Sequence, residues 1–155
     1  MNAIVLRPAT AHDKIAIAQW PAYPAEFHEL DYALRTNGWL DEFQGKPDTW
    51  IYVAERDKAP VAFSLLTTTG EREAEFRIAL HPHYLGQGLG KPITLNTLEL
   101  GFRDKELKRI YLIVRKDHHR AIRLYAELGF SYFDCCILTV NGNPVEFRRM
   151  EVFRN

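Results

Sequence analysis

The stretch HPHYLGQGLGKPI, residues 81–93, decides how this chain is read. It follows an alternating run from Glu73 to Leu80 and precedes Ile93, Leu95, Leu98 and Phe102, which recur at helical spacing. A strand therefore passes into a helix through a turn carrying Gly86, Gly88 and Gly90. Residues without a Cβ let a ligand come close to the backbone. The first amides of the helix lack partners inside it and its dipole favours an anion, so the turn suits a phosphate or pyrophosphate. A plain tight turn is the bland alternative. Pro92 is compatible with the helix because it falls in the first turn.

Spacing narrows the choice of phosphate ligand. A Walker A loop needs four residues between its first glycine and the Gly-Lys pair and then Ser or Thr, whereas Gly86 to Gly90-Lys91 leaves three and Pro92 follows. A Rossmann fingerprint needs GxGxxG and an acidic residue on the next strand; here the glycines read GxGxG and the next strand, IYLIV from Ile110 to Val114, is uncharged. Between Lys105 and Arg123 stand Lys105, Lys108, Arg109, Arg115, Lys116, Arg120 and Arg123 against only Glu106 and Asp117. Such an excess beside an amide cradle matches a ligand with a pyrophosphate and a further phosphate, which describes coenzyme A. A solvated helix face is the alternative.

Working outward, Ala3 to Arg7 reads as a strand, followed by a helix capped through Thr10 and Asp13. The stretch from Trp20 to Trp50, punctuated by Pro21, Pro24, Gly38, Gly45 and Pro47, reads as a long connection with a short helix around Glu26 to Arg35. Trp50 to Glu55, Val61 to Thr68 and Glu73 to Leu80 form an antiparallel meander. The helix after the glycine turn runs to about Asp104. IYLIV suits a strand buried on both faces, paired in parallel with the strand ending at Leu80. Asp117 is placed to cap a helix with the stripe Ala121, Leu124, Tyr125 and Leu128, stopped by Gly129. SYFDCCILTV and PVEFRRMEVF flank Asn141-Gly142 as a hairpin. The expected fold is an α/β domain with a mixed central sheet in the order β-α-α-β-β-β-α-β-α-β-β, with a parallel crossover between the fourth and fifth strands.

At 155 residues, with 46% apolar and 26% charged residues, the chain is expected to be a single globular domain over residues 1–155. Twenty basic residues balance twenty acidic ones, so no global field draws it to nucleic acid or anionic lipid. No apolar run approaches the ~20 residues that span a bilayer, and a cytoplasmic location is expected. Cys135 and Cys136 are adjacent, which argues against a structural disulfide. No CxxC or HExxH pattern points to a metal, and His81, His83, His118 and His119 lack a suitably spaced third ligand.

HPHYLGQGLGKPI resembles the acyl-CoA-binding motif of GNAT acetyltransferases, and DHHRAIRLYAELGF is similar to their next motif, written around N-x-x-A-x-x-x-Y and ending in Gly-Phe. With the element order, the resemblance covers Trp50 to Asn155. It implies acetyl-CoA as acetyl donor, an amine acceptor on a small molecule or peptide, and direct attack on the thioester. It implies that the backbone of Ile78, Ala79 and Leu80 pairs with the pantetheine arm, that the amides of Gly86, Gln87, Gly88, Leu89, Gly90 and Lys91 take the pyrophosphate, and that Leu85 heads this cofactor-binding turn. His118 stands where relatives often have a coenzyme-contacting Asn, and Tyr125 matches the tyrosine facing the coenzyme sulfur. The chain departs from the pattern at His118 and at Leu85, where Arg or Gln heads the turn. Ile113 stands where some protein N-terminal acetyltransferases carry a glutamate.

Acetyl transfer requires a neutral amine, a polarised carbonyl and a proton for the departing thiolate. Tyr125 is the candidate acid, with core packing as its alternative. Glu75, on the strand entering the turn, is the candidate base, with an exposed structural glutamate or a water chain as alternatives. Backbone amides near Leu80 could polarise the carbonyl. Trp20, Tyr23, Phe27, Tyr32 and Trp39, with Glu29, Asp31 or Asp41, are candidates for the acceptor side. A non-catalytic acyl-CoA-binding regulatory domain is the rival reading, and a homodimer is compatible with either.

Overall fold

A computed structural model describes residues 3–24, 38–43, 45–140 and 142–154. Seven strands among them form one sheet: β1 (Val5–Pro8), β2 (Thr49–Arg56), β3 (Ala59–Gly70), β4 (Glu73–Leu80), β5 (Arg109–Arg115), β6 (Ser131–Val140) and β7 (Asn143–Phe153). Their order is β1-β2-β3-β4-β5-β7-β6. Every pair is antiparallel except β4 with β5, as the expected central crossover requires. The helices are α1 (Ala11–Ala18), α2 (Trp39–Phe43), α3 (Gly90–Glu99) and α4 (His119–Glu127). A 3-10 turn, Pro82–Tyr84, precedes the glycine turn, and a π-helical turn, Leu100–Asp104, prolongs α3 to the expected boundary. The helix expected over Glu26 to Arg35 lies outside the described residues. So do Phe27, Glu29, Asp31 and Tyr32, together with the side chain of Asp41.

Alternation on the strands assigns the helices to two faces. Ile17 and Trp20, from α1 and just after it, and Leu40 and Phe43 of α2 pack on Val53, Phe63, Leu65 and Ala79 on one face. On the other, Leu98 of α3, Ala121, Ile122 and Tyr125 of α4 and Leu128 just after it pack on Leu66, Ala74, Phe76, Ile110, Leu112 and Met150. Each fully buried aliphatic side chain among these contributes roughly 1.5–3 kcal/mol of transfer free energy. β5 departs from expectation: Ile110, Leu112 and Val114 are buried, but Tyr111 and Ile113 are half-buried. One face of β5 is thus buried and the other partly covered among the described residues.

The expected cap of α1 is present. The Asp13 carboxylate accepts hydrogen bonds from the Thr10 amide at 2.7 Å and from its hydroxyl at 3.1 Å. It also receives both Arg7 Nη atoms at 2.7 and 2.8 Å, and the guanidinium holds Asp13 down at about 2. At α4 the cap differs from expectation. His118 precedes the helix, its Nδ1 accepting from the Ala121 amide at 3.4 Å, while Asp117 lies beside Arg115. An imidazole nitrogen serves here in place of a carboxylate because His118 stands immediately before the first helical residue. No helix among the described residues is long and apolar enough to cross a membrane.

Candidate active site

The parallel seam between β4 and β5 is short. Glu73, Ala74 and Glu75 pair with Arg109, Ile110 and Tyr111, and pairing stops there although β4 runs on to Leu80 and β5 to Arg115. On its other edge β4 stays paired with β3 as far as Leu80 opposite Ala62. The strands therefore splay, and the seam-facing backbone groups of Phe76 to Leu80 have no strand partner. Unpaired edges of this kind accept an extended ligand through main-chain hydrogen bonds. Of the three residues singled out in the sequence, Ile78 and Leu80 turn their backbone groups to this open edge, the Leu80 carbonyl accepting from Tyr23, while Ala79 pairs with Phe63 of β3. Ile78 and Leu80 face α3, and Ala79 faces α1.

The wide end of the splay meets the glycine turn. Gly86 and Gly88 adopt φ of +75° and +77°, a left-handed backbone that strains any side chain. A Cβ added at Gly86 would lie 3.6 Å from Nη1 of Arg120, whereas one at Gly88 would meet nothing within 4 Å. Gly88 is thus needed for its backbone angle and for room left to a ligand, not for internal packing. Arg120 is exposed, makes no ion pair among the described residues, and holds its guanidinium over the turn from which α3 begins. Leu85 packs against the α1 side of the core, and Leu89 is buried beneath α3. The Gln87 amide donates to the His83 carbonyl at 3.0 Å. Lys91 Nζ reaches Glu127 on α4 at 3.2 Å, so its side chain is engaged away from the turn while its amide is available.

Tyr125 stands where the seam opens. Its ring packs edge-on to Phe76, the first β4 residue past the paired segment, at 6.5 Å between centroids, and to Phe130 at 5.7 Å. Burial pushes the phenol up to about 12 although the residue as a whole is half-buried, so the hydroxyl lies in apolar surroundings. Glu75 does not join it. Its Oε1 accepts Arg77 Nε at 3.0 Å and Nη2 at 2.7 Å, and that guanidinium also lies over the rings of Trp39 and Phe43. Strand alternation places Glu75 on the opposite face from Phe76 and Tyr125.

Two contacts at the end of β4 are invisible in the sequence pattern. The Tyr23 hydroxyl donates to the Leu80 carbonyl at 2.6 Å, and the His81 amide donates to the Val61 carbonyl at 2.8 Å. The peptide between Leu80 and His81 is therefore held at both ends. In the sequence Tyr23 is one aromatic among several between Trp20 and Trp50. Its proximity to Pro24 in a proline-punctuated stretch gave no hint of its partner.

Trp20 and Trp39 pack on Phe63. Among the described residues no group of three or more His, Cys, Asp or Glu side chains is arranged to hold a metal.

A parallel seam whose pairing stops after Glu75, a glycine turn beyond the end of β4 and a helix beginning at that turn follow one another along the chain. The model of the acetyltransferase (GNAT) family matches residues 12–130. This chain belongs to the GNAT family. Spermidine N(1)-acetyltransferase of Escherichia coli K12 is 42% identical over 60 residues, which is 39% of this chain and 32% of that protein. The chain spans about a third of the length of this curated relative. A chimera of Vibrio cholerae spermidine N-acetyltransferase superposes with a TM-score of 0.80 at 22% identity, covering 97% of this chain and 95% of that one. The Vibrio cholerae enzyme in complex with CoA and spermine gives a TM-score of 0.78 at 19% identity, with the same coverage. These superpositions establish the GNAT fold of the whole sheet.

Proposed function

We propose that this chain, read as one domain, transfers an acetyl group from acetyl-CoA to an amine by direct attack. The observation that carries the reading is the splayed β4–β5 seam, opening between the Gly86–Lys91 turn and Tyr125. Along the edge at Ile78, Ala79 and Leu80, the seam-facing groups of Ile78 and the Leu80 amide supply main-chain partners for the pantetheine arm. The amides at the start of α3, with Arg120, take the pyrophosphate. A Cβ at Gly86 would fill part of that cradle, so the residues present fit the ligand. When bound, acetyl-CoA supplies an activated acyl thioester.

Proton bookkeeping limits what Tyr125 does. Overall, the amine loses one proton and the departing thiolate gains one, so none need be released. A thiol has a pKa of roughly 8.5, and a phenol near 12 gives up its proton to the thiolate only at a cost of about 5 kcal/mol. The raised phenol keeps Tyr125 protonated near pH 7, so its hydroxyl is the group offered as donor to the developing negative charge on sulfur, and the proton the amine loses balances the one the thiolate gains. The side chain of Glu75, tied to Arg77, is poorly placed to be the base. The relatives' substrates make polyamines the first acceptors to try.

The test has two arms. Coenzyme A should raise the melting temperature, because a ligand that binds only the native state stabilises it by mass action, and NAD or ATP should do less. Thiol release from acetyl-CoA should then depend on an amine in a panel headed by spermidine and spermine and including peptide amines. Stabilisation by coenzyme A without thiol release on any amine would leave a binding domain, and neither response would refute the reading.

A further inference from the structure

We propose that His81 is a catalytic hydrogen-bond donor, its Nε2–H meeting the carbonyl oxygen of the acetyl donor as negative charge builds there. The proposal rests on the acetyl-transfer reading above and assigns a residue to the electrophilic half of that reaction.

The placement comes from β4. His81 directly follows its last residue, at the wide end of the splay, and alternation puts its side chain on the face shared by Ala79 and α1. The Trp20 ring lies 4.9 Å from the imidazole on that face. Phe76 and Tyr125 close the groove from the opposite face, so a thioester in the splay would lie between Tyr125 and His81, with sulfur toward the first and carbonyl toward the second.

The tautomer comes from the turn. His81 Nδ1 accepts a hydrogen bond from the His83 amide at 3.0 Å, which requires Nδ1 to be unprotonated and leaves the proton of the neutral ring on Nε2. The ring is boxed by Trp20, by His83 at 5.0 Å and by Tyr84 at 5.4 Å. Desolvation, helped by the nearness of His83, lowers the His81 pKa from 6.5, so the imidazole is neutral near pH 7. Nε2 has no hydrogen-bond partner among the described residues, and the residue is partly exposed. It is thus a rigidly held donor with a vacant direction, the arrangement that stabilises charge without reorganisation.

The His81 amide is committed to the Val61 carbonyl and the Leu80 carbonyl to Tyr23, so the peptide joining them offers a ligand no N–H, and the imidazole is the donor that His81 itself has to give beside the Leu80 amide. In the step itself, the amine lone pair forms the N–C bond while the C=O π pair moves onto oxygen. It returns as the C–S bond breaks, the C–S pair leaving on sulfur and the proton lost by nitrogen balancing the one the thiolate gains, and His81 keeps its proton throughout.

Two substitutions separate catalysis from capping. In His81→Asn the side-chain oxygen can still take the His83 amide but the tip donor is gone; in His81→Gln the tip donor is kept and the cap is lost. We expect His81→Asn to keep the wild-type melting temperature and its rise with coenzyme A, while single-turnover transfer falls about 10²-fold, and His81→Gln to recover most of the rate. A wild-type rate in His81→Asn, or equal losses in both variants, overturns the proposal. Imidazole ¹⁵N shifts of the wild-type protein give a check that does not depend on either variant folding. They should show the Nε2–H tautomer, with Nε2 shifting when acetyl-CoA is added, and an Nδ1–H tautomer or an unmoved Nε2 overturns the proposal as well. An active wild type with indifferent His81 variants would sink this inference alone; a wild type that neither binds coenzyme A nor transfers acetyl would sink the acetyl-transfer reading with it.

Discussion

The two ends of the β4–β5 seam use the same pair of strands for opposite purposes. At the closed end Glu73 to Glu75 are paired, and every charge is matched: Arg109 reaches Glu73 at 3.1 Å and Glu151 at 2.7 Å, while Arg77 reaches Glu75 at 2.7 Å. At the open end the β5-facing backbone of Phe76 to Leu80 lacks a strand partner, Tyr125 has a phenol in apolar surroundings, and Arg120 has no counter-ion among the described residues. Unpaired polar groups cost stability unless something arrives to meet them. The proposed acetyl-transfer reading puts the ligand at the open end, and on that reading substitutions at the two ends should fail differently.

Tyr125→Phe should give the largest effect at the open end. It removes one hydroxyl, keeps the ring between Phe76 and Phe130, and deletes a hydrogen bond to charge that forms only during the reaction. Single-turnover acetyl transfer at saturating coenzyme should fall roughly 10²-fold, with melting temperature and coenzyme affinity nearly unchanged. Equal rate constants would return Tyr125 to the core.

At the closed end the pattern should invert. Arg109→Met leaves Glu73 and Glu151 without their shared partner. Two charge-assisted bonds are lost, one of them to a carboxylate that is 39% exposed and so largely screened by solvent, and the net cost should be about 2 kcal/mol in denaturant unfolding. Turnover of the folded fraction should stay within about twofold of wild type. A loss of rate as deep as that of Tyr125→Phe would show that the seam is one mechanical unit and break the comparison.

What the sequence revealed divides along the same line. The alternation of Glu73 to Leu80, the capping pair Thr10 and Asp13 and the helical stripe through Ala121 and Leu128 are local signals, and the elements they imply are present. The glycine turn was legible for the same reason, because a left-handed φ at Gly86 and Gly88 is a demand that a single residue type answers. The splay was not, since it depends on where β5 and β7 carry the chain after Tyr111. The pairing of Glu75 with Arg77 was hidden in plain alternation, where residues two apart share a face. Arg120 counted only as one of seven basic residues between Lys105 and Arg123, and its position over Gly86 depends on how α4 docks. Burial of β5 on a single face was likewise beyond reach of the run IYLIV, which would look the same with a second layer of helices.

The smallest effects concern which cation serves the turn. Lys91 is the basic residue that sequence places in the turn, but its Nζ lies 3.2 Å from Glu127 Oε2, with both side chains about half exposed. An exposed pair of this kind contributes roughly 0.2–1 kcal/mol at most, and Lys91 offers a ligand its amide whatever its side chain does. Arg120 comes from another element, yet its guanidinium already overlies Gly86. Arg120→Gln should therefore weaken coenzyme A about tenfold, or ~1.4 kcal/mol, and the loss should shrink as salt screens the exposed charge. Dephospho-coenzyme A should suffer equally if the pyrophosphate is the contact, and escape if the 3′-phosphate is. Lys91→Ala should change coenzyme affinity less than twofold and stability by less than about 0.5 kcal/mol. Calorimetric titration of the two variants with both ligands makes the comparison. If Lys91→Ala costs as much as Arg120→Gln, the lysine must leave Glu127 on binding, and the resting ion pair would then be a contact that the ligand displaces.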